Sequence, residues 1–203
     1  MDKRDFKKEL KHLYQPSAKE FSVVDVPPLN FLMIDGHGNP NTSPDYTAAL
    51  EALYSLAYTI KFALKTKGID FVVGPSEGLW WMEDMHQFSQ ENKDRWDWTM
   101  MIVQPEEVTQ DVFEDAKIQV AKKKDLPALP GLRLETFHEG LSVQILYYGS
   151  YSDEGPTIAR MHAFIHESGY ELRGKHHEIY LGDPRRTAPE MLKTIIRQPI
   201  RRK

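Results

Sequence analysis

Two stretches far apart in this chain end on one signature, Ile102-Val103-Gln104-Pro105 and Ile196-Arg197-Gln198-Pro199. Four residues say little alone, but the segments before them share an order: strand, capped helix, glycine-stopped end, then two strands. That agreement predicts a duplicated β-α-β-β unit, with halves at about 29–104 and 141–198. The fold class expected is therefore α+β: both halves contribute strands to one sheet, their helices cover one face, and a ligand groove occupies the other.

The punctuation supports the order. Phe6, Leu10, Leu13 and Tyr14 recur at helical spacing and stop at Pro16, giving an N-terminal helical extension over residues 1–20. The remainder, 21–200, reads as a single domain. Phe21–Val26 and Asn30–Ile34 alternate as strands around Pro27-Pro28. Ser43 can accept an orphan N–H ahead of Pro44, and Tyr46, Leu50, Leu53, Ala57, Ile60 and Leu64 form an apolar stripe, so a long helix spans 44–66. Gly68 ends it. Ile69–Val73, Gly78–Met82 and Trp98–Val103 read as short strands, and residues 83–93 as a polar loop or surface helix. Residues 105–131 supply a helix from Pro105 to Lys124 and a proline-containing linker. In the second half, strands at 132–135 and 141–149 precede a helix capped by Ser152 or Asp153 and ended by Gly169.

The last hairpin, Gly174–Ile200, holds the most informative polar pattern. Alternation puts His176, Glu178 and Tyr180 on one strand face and His177, Ile179 and Leu181 on the other. A carboxylate beside an imidazole and a phenol suits a pocket floor, because a buried acid requires partners or a function.

Composition narrows the chemistry. None of the 203 residues is cysteine, which excludes disulfides, thiolate nucleophiles and thiolate metal ligands. The charged start from Asp2 to Lys11 lacks an apolar run, so neither signal peptide nor membrane span is expected and the chain reads as cytoplasmic. A net charge of -4 argues against direct nucleic-acid binding, despite Arg185-Arg186 and the Arg201-Arg202-Lys203 tail. Four Trp, nine Tyr and eight Met suit a pocket for a planar aromatic small molecule. No metal or cofactor is expected. His162 and His166 are four apart but lack the Glu of a His-Glu-x-x-His motif; Gly36-His37-Gly38 and Gly182-Asp183-Pro184 match no phosphate loop; and no Gly-x-Ser-x-Gly elbow occurs. The oligomeric state is left open.

From about residue 20 to 200 the chain resembles the GyrI-like small-molecule-binding family, most sharply in HHEIYLGDPRRTAPEMLKTIIRQP, residues 176–199. The resemblance implies a tandem SHS2-type repeat and an aromatic pocket in which a strand glutamate faces bound cations; the matching residue is Glu178. No helix-turn-helix module accompanies it, unlike the drug-responsive regulators. Stand-alone relatives resemble hydrolases that open the cyclopropane of cyclopropanoid DNA-alkylating toxins, and the Trp80-Trp81 pair leans the reading toward that branch.

On this reading Glu178, with its pKa raised in an aromatic pocket, takes a proton from water. Tyr180, or Tyr148 or Tyr147, donates to a substrate carbonyl, and His176 orients Glu178, whereas His177 packs toward the helices. Only one member of each adjacent pair, Trp80 or Trp81 and Tyr147 or Tyr148, can face the groove. Trp98 or Met100 completes the ligand wall. The alternatives are non-catalytic sequestration of cationic aromatic drugs, or a gyrase-inhibitor-like protein-interaction domain.

Overall fold

A computed structural model describes residues 3–203. Nine strands form one connected antiparallel system: β1 (Ser22–Val26), β2 (Leu29–His37), β3 (Glu77–Trp81), β4 (Asp97–Gln104), β5 (Arg133–Phe137), β6 (Gly140–Tyr148), β7 (Tyr170–Leu172), β8 (His176–Tyr180) and β9 (Lys193–Arg202). The main path runs β1-β6-β9-β8-β3-β4-β2-β5, with β7 paired to β9 beside it. Each half therefore lays down an outer strand, a helix and a hairpin, and the two hairpins meet where β3 pairs with β8.

The connections force this sheet to curl. β1 and β2 lie toward opposite ends of the path, yet only Pro27 and Pro28 separate them, a reach of about 11 Å at 3.8 Å per Cα step. The same holds for β5 and β6, separated by His138 and Glu139. Val26 pairs with Gly140 and Leu29 with Phe137, so the register crosses both bends without gaining or losing a residue. Two long bent strands thus close the sheet into a barrel-like layer. The prolines suit the bend because they have no N–H to leave unpaired.

The inner face packs Phe31, Met33, Leu79, Met101, Val103, Ile179 and Ile195 against Phe6, Leu13 and Tyr14 of the N-terminal segment. That segment is two four-residue helices, α1 (Phe6–Glu9) and α2 (Lys11–Tyr14), rather than one continuous helix, because Leu10 leaves the helical region. On the outer face, α3 (Pro44–Thr66) and α4 (Gln110–Ala121) cover β2, β3 and β4, and α5 (Gly155–Glu167) covers β6 and β9. α3 has the bounds its stripe predicts, with the Ser43 hydroxyl accepting from the Tyr46 N–H at 3.4 Å. Ile69–Val73 forms no full strand; only Phe71 bridges, to Arg4.

α5 starts differently from expectation. Ser152 and Asp153 lie in a preceding 3-10 turn, where the Ser150 hydroxyl donates to Asp153 Oδ2 at 2.7 Å. Glu154 stands at the N-cap, but its side chain makes no capping hydrogen bond. It turns instead toward β8. No helix among the described residues is long and apolar enough to cross a membrane.

Candidate functional site

The site follows from strand parity at the β3–β8 seam. Glu178 lies opposite Gly78 on β3 and Ile196 on β9, so it shares the outer face with Trp80, Tyr180, Met100 and Thr194. A Cβ on Gly78 would sit 2.6 Å from Trp80 Nε1. The bare backbone thus lets the indole fold along the strand until Nε1 donates to the Tyr180 hydroxyl at 2.9 Å. Tyr180 donates in turn to Glu178 Oε2 at 2.8 Å, and His176 Nε2 stands 3.2 Å from Glu178 Oε1. The chain Trp80–Tyr180–Glu178–His176 holds the carboxylate in one orientation.

Aromatic rings surround it. Tyr46 of α3 lies 5.9 Å from Trp80 and 5.3 Å from Trp98 between ring centroids. Tyr151 meets Tyr180 edge-on at 5.4 Å, and Phe88 lies 6.0 Å from His176. Gln90 Nε2 reaches the Tyr151 carbonyl at 3.5 Å, linking the segment after β3 to the turn before α5. The Glu178 side chain retains 14 % exposure.

A second carboxyl completes the site. Glu154 is 1 % exposed, lies within hydrogen-bonding reach of Glu178, and has Thr194 beside it. Burial and the charge of Glu178 push Glu154 up to about 10, so it carries a proton at neutral pH. Burial also acts against ionisation of Glu178, but hydrogen bonds from His176 and Tyr180, with the neighbouring Glu154, outweigh it and hold Glu178 below the ordinary range. The two acids share one proton, held on Glu154. Burial and the same negative charge raise Tyr46, Tyr180 and Tyr151, the last to about 12, so the phenols remain protonated.

Buried polar atoms are rarely left without partners. Among the described residues five buried side-chain atoms lack a well-formed hydrogen bond: Glu154 Oε1, Thr194 Oγ1, His162 Nε2, Trp98 Nε1 and Gln104 Oε1. Glu154, Thr194 and His162 lie around Glu178 and His176, whereas Trp98 is packed behind Tyr46 and Gln104 lies at the far end of β4. Burial, with His176 and His166 nearby, lowers His162 to about 4, leaving a neutral imidazole. This concentration of unmet hydrogen-bonding capacity suits polar atoms of a ligand or water.

The structure sorts the residues singled out by sequence. Glu178, Tyr180, His176, Trp80, Trp98 and Met100 share the outer face, and Tyr147 joins them at the β6 margin opposite Thr194. Trp81 and Tyr148 are corrected out of the site because each is one residue along, on the reverse face. Lys175 Nζ covers the Trp81 ring at 3.2 Å, while Tyr148 is 48 % exposed beside Lys193. Trp98 and Met100 are fully buried behind Tyr46 and serve as foundation rather than open wall.

The polar cluster occupies the helix-bearing outer face between α3 and α5 rather than the opposite one, which is filled by the N-terminal segment. His177 turns away from α3 and α5, toward Glu77 and Glu139 on the inner face. The upward pKa shift belongs to Glu154, not Glu178. Tyr180 has committed its only hydroxyl proton to Glu178, so in this arrangement it positions that carboxylate instead of meeting a carbonyl. Glu154 itself was missed. The local signal was weaker than at Ser43, because Pro156 stands at the second helical position and the preference of proline for the first position points to Gly155 as the cap.

Two clefts lie elsewhere, about 300 Å³ between α1 and the β1–β2 bend and about 490 Å³ between α3 and α4. Neither touches the Glu178–Glu154 pair, so the chemistry assigns the site rather than cleft size. Among the described residues no group of three or more His, Asp or Glu is arranged to hold a metal ion.

Comparison with known proteins agrees with this architecture. Residues 19–201 match the GyrI-like small molecule binding domain. An uncharacterized conserved protein from Listeria innocua, known by crystal structure, is 42% identical, with 98% of this chain and 100% of that one covered and a TM-score of 0.92. The crystal structure of a hydrolase encoded by lin2189 from Listeria innocua is 41% identical over 98% of this chain and 100% of that one, with a TM-score of 0.90. The EcmrR C-terminal domain shares the fold at 10% identity, covering 91% of this chain and 98% of its own, with a TM-score of 0.57. No curated protein sequence matches. The domain match across nearly the whole chain, the shared curled sheet and the close Listeria structures place this chain in the GyrI-like small-molecule-binding family.

Proposed function

We propose that this chain is a hydrolase that adds water to an electrophilic planar aromatic compound, with a cyclopropanoid toxin as the substrate class. The observation that carries the reading is Glu178: an ionised carboxylate fixed by His176 and Tyr180 inside a ring of aromatics. The close likeness to a Listeria hydrolase supports hydrolysis as the reaction class.

Aromatic walls favour a flat ligand by stacking and by burying its faces. Glu178 accepts a proton from water as the water oxygen bonds to the ring methylene of the cyclopropane. The strained carbon–carbon bond breaks, and its electron pair moves through the conjugated system to the carbonyl oxygen, which takes up a proton. Ring strain supplies the driving force, and a positioned base lowers the barrier.

A second reading has one specific observation behind it. An anionic Glu178 among aromatic faces also suits retention of a cationic aromatic compound without turnover. Mass spectrometry of a cyclopropanoid incubated with purified protein separates the two. Hydrolysis predicts a product heavier by one water that accumulates beyond enzyme stoichiometry; recovery of unchanged ligand overturns the hydrolytic reading and leaves retention.

A further inference from the structure

We propose that Glu154 is the acid of this site, delivering a proton to the substrate oxygen on which charge builds while Glu178 takes one from water. The inference rests on the hydrolytic reading above. It adds a catalytic residue and restricts the substrate class to compounds whose electrophilic carbon is conjugated to an oxygen acceptor.

The geometry leaves few candidates for the role. Tyr180 donates to Glu178 at 2.8 Å, and burial with the charge of Glu178 raises its phenol well above the ordinary range, making it a weaker acid than Glu154. Tyr147 donates to the Ser150 carbonyl at 3.3 Å. Glu154, by contrast, stands at the start of α5 without capping it, and its buried Oε1 lacks a well-formed hydrogen bond. A helix N-terminus ordinarily recruits a carboxylate to its unpaired N–H groups. Here the side chain forgoes that interaction to lie beside a second carboxyl.

The groups facing Glu154 explain why it keeps a proton there. Glu178 on β8 is anionic and in contact, and it is linked to His176 and Tyr180. Tyr147 on β6 and Tyr151 in the preceding turn are protonated phenols that also interact with Glu154. Thr194 and the Lys93 ammonium favour the ionised form, as does the α5 terminus, but burial and Glu178 outweigh them.

The proton balance closes within the pair. As water attacks, its proton goes to Glu178 and its oxygen bonds to carbon. The electron pair released by ring opening reaches the carbonyl oxygen, which takes the Glu154 proton. The site then holds Glu178 protonated and Glu154 ionised. Transfer across their contact restores the starting state, so the only net reactant from solvent is one water.

The test pairs infrared spectroscopy with kinetics on the full chain, using a cyclopropanoid as the probe. Wild type at neutral pH should show a protonated-carboxyl band that Glu154→Gln lacks. The same near-isosteric variant should lose about 10²-fold in kcat with KM changed by no more than about threefold, the scale of positioned acid catalysis. In wild type, kcat should fall as pH rises toward about 10. Glu154→Gln should lose that limb, and Glu154→Asp should recover part of both rate and limb. Absence of the wild-type band, its persistence in Glu154→Gln, or an unaltered kcat and alkaline limb would overturn the inference. Wild type that shows the band yet turns over nothing removes the hydrolytic reading, and with it the catalytic role, while leaving the shared proton in place.

Discussion

Consecutive residues of β8 serve two acidic clusters on opposite faces of one sheet, and the clusters are built to opposite rules. On the inner face, both His177 ring nitrogens meet carboxylates, Nε2 to Glu77 Oε2 at 3.0 Å and Nδ1 to Glu139 Oε1 at 2.9 Å. Arg197 donates to Glu139 Oε2 at 3.1 Å, to Gln144 Oε1 at 3.0 Å and to the Leu13 carbonyl at 2.8 Å. Tyr14 donates to Glu77 at 2.8 Å. Two acids therefore meet two cations, and the network ties α2 into the barrel. On the outer face the two acids meet only one imidazole at hydrogen-bonding range, His176 at 3.2 Å from Glu178, a proton is retained on Glu154, and Glu154 Oε1 lacks a well-formed hydrogen bond. A neutralised, fully paired cluster holds structure; an unbalanced one keeps a proton available for chemistry.

The largest test of this contrast removes an inner cation. Arg197→Met leaves two buried acids facing one cation and should destabilise the fold by about 3–5 kcal/mol, measured by urea unfolding. A loss as small as that of a surface substitution would break the structural assignment.

The next effect is pH dependence of folding. Burial disfavours charged His177, but Glu139 and Glu77 overcome it and raise the imidazole from 6.5 to about 9. Protonated His177 therefore contributes stability that is fully present below about 6.5 and is lost as pH rises through about 9, on the order of a few kcal/mol. Glu139 has the opposite sign. It is buried, but His177 and Arg197 depress it to about 2, so its contribution is present above 4.5 and lost as pH falls through 2. Chemical denaturation across pH should show His177→Gln removing the alkaline loss.

Glu178→Gln should invert the pattern seen at Arg197. Turnover of a neutral cyclopropanoid should fall by about 10²-fold or more, whereas folding changes by less than about 1 kcal/mol, because the near-isosteric amide can still accept from Tyr180 and a buried charge is removed beside a neutral Glu154. Single-turnover rates and melting on one preparation would show it. Full activity would shift the base to another group.

Smaller effects sharpen the boundary of the site. Trp80→Phe deletes the N–H bound to Tyr180 and should weaken binding of a planar ligand by about 1 kcal/mol, whereas Trp81→Phe, on the reverse face, should leave fluorescence-monitored affinity unchanged. Tyr148→Ala should change stability and affinity by no more than about 0.5 kcal/mol. A marked loss in either control would return that residue to the site.

Local chemistry was legible without coordinates wherever one segment decided the outcome. Ser43-Pro44, the apolar stripe and Gly68 predict α3 because capping, periodicity and termination are local. The alternation His176, Glu178, Tyr180 likewise places three neighbours of the site on one face, since β parity needs only the strand itself. Where the choice depended on another segment, legibility ended. Nothing near Trp80-Trp81 says which indole faces inward until Gly78 and the β4 register are known. Glu154 was passed over for Ser152 and Asp153, better capping residues by type, because its partner lies on β8.

The amino-acid sequence by itself determined α3, the strands that meet at the β3–β8 seam, the paired order of the two halves and the shared face of His176, Glu178 and Tyr180, all consequences of short-range periodicity and backbone chemistry. It did not determine β7 or the start of α4, which begins at Gln110 rather than Pro105. Only the tertiary structure decided that β1 and β5 cross to the opposite halves and curl the sheet, filling its inner face with the N-terminal segment. It alone also brought Glu154 from the head of α5 against Glu178. Proton sharing depends on through-space distance and burial, and neither is written in the spacing of residues 154 and 178 along the chain.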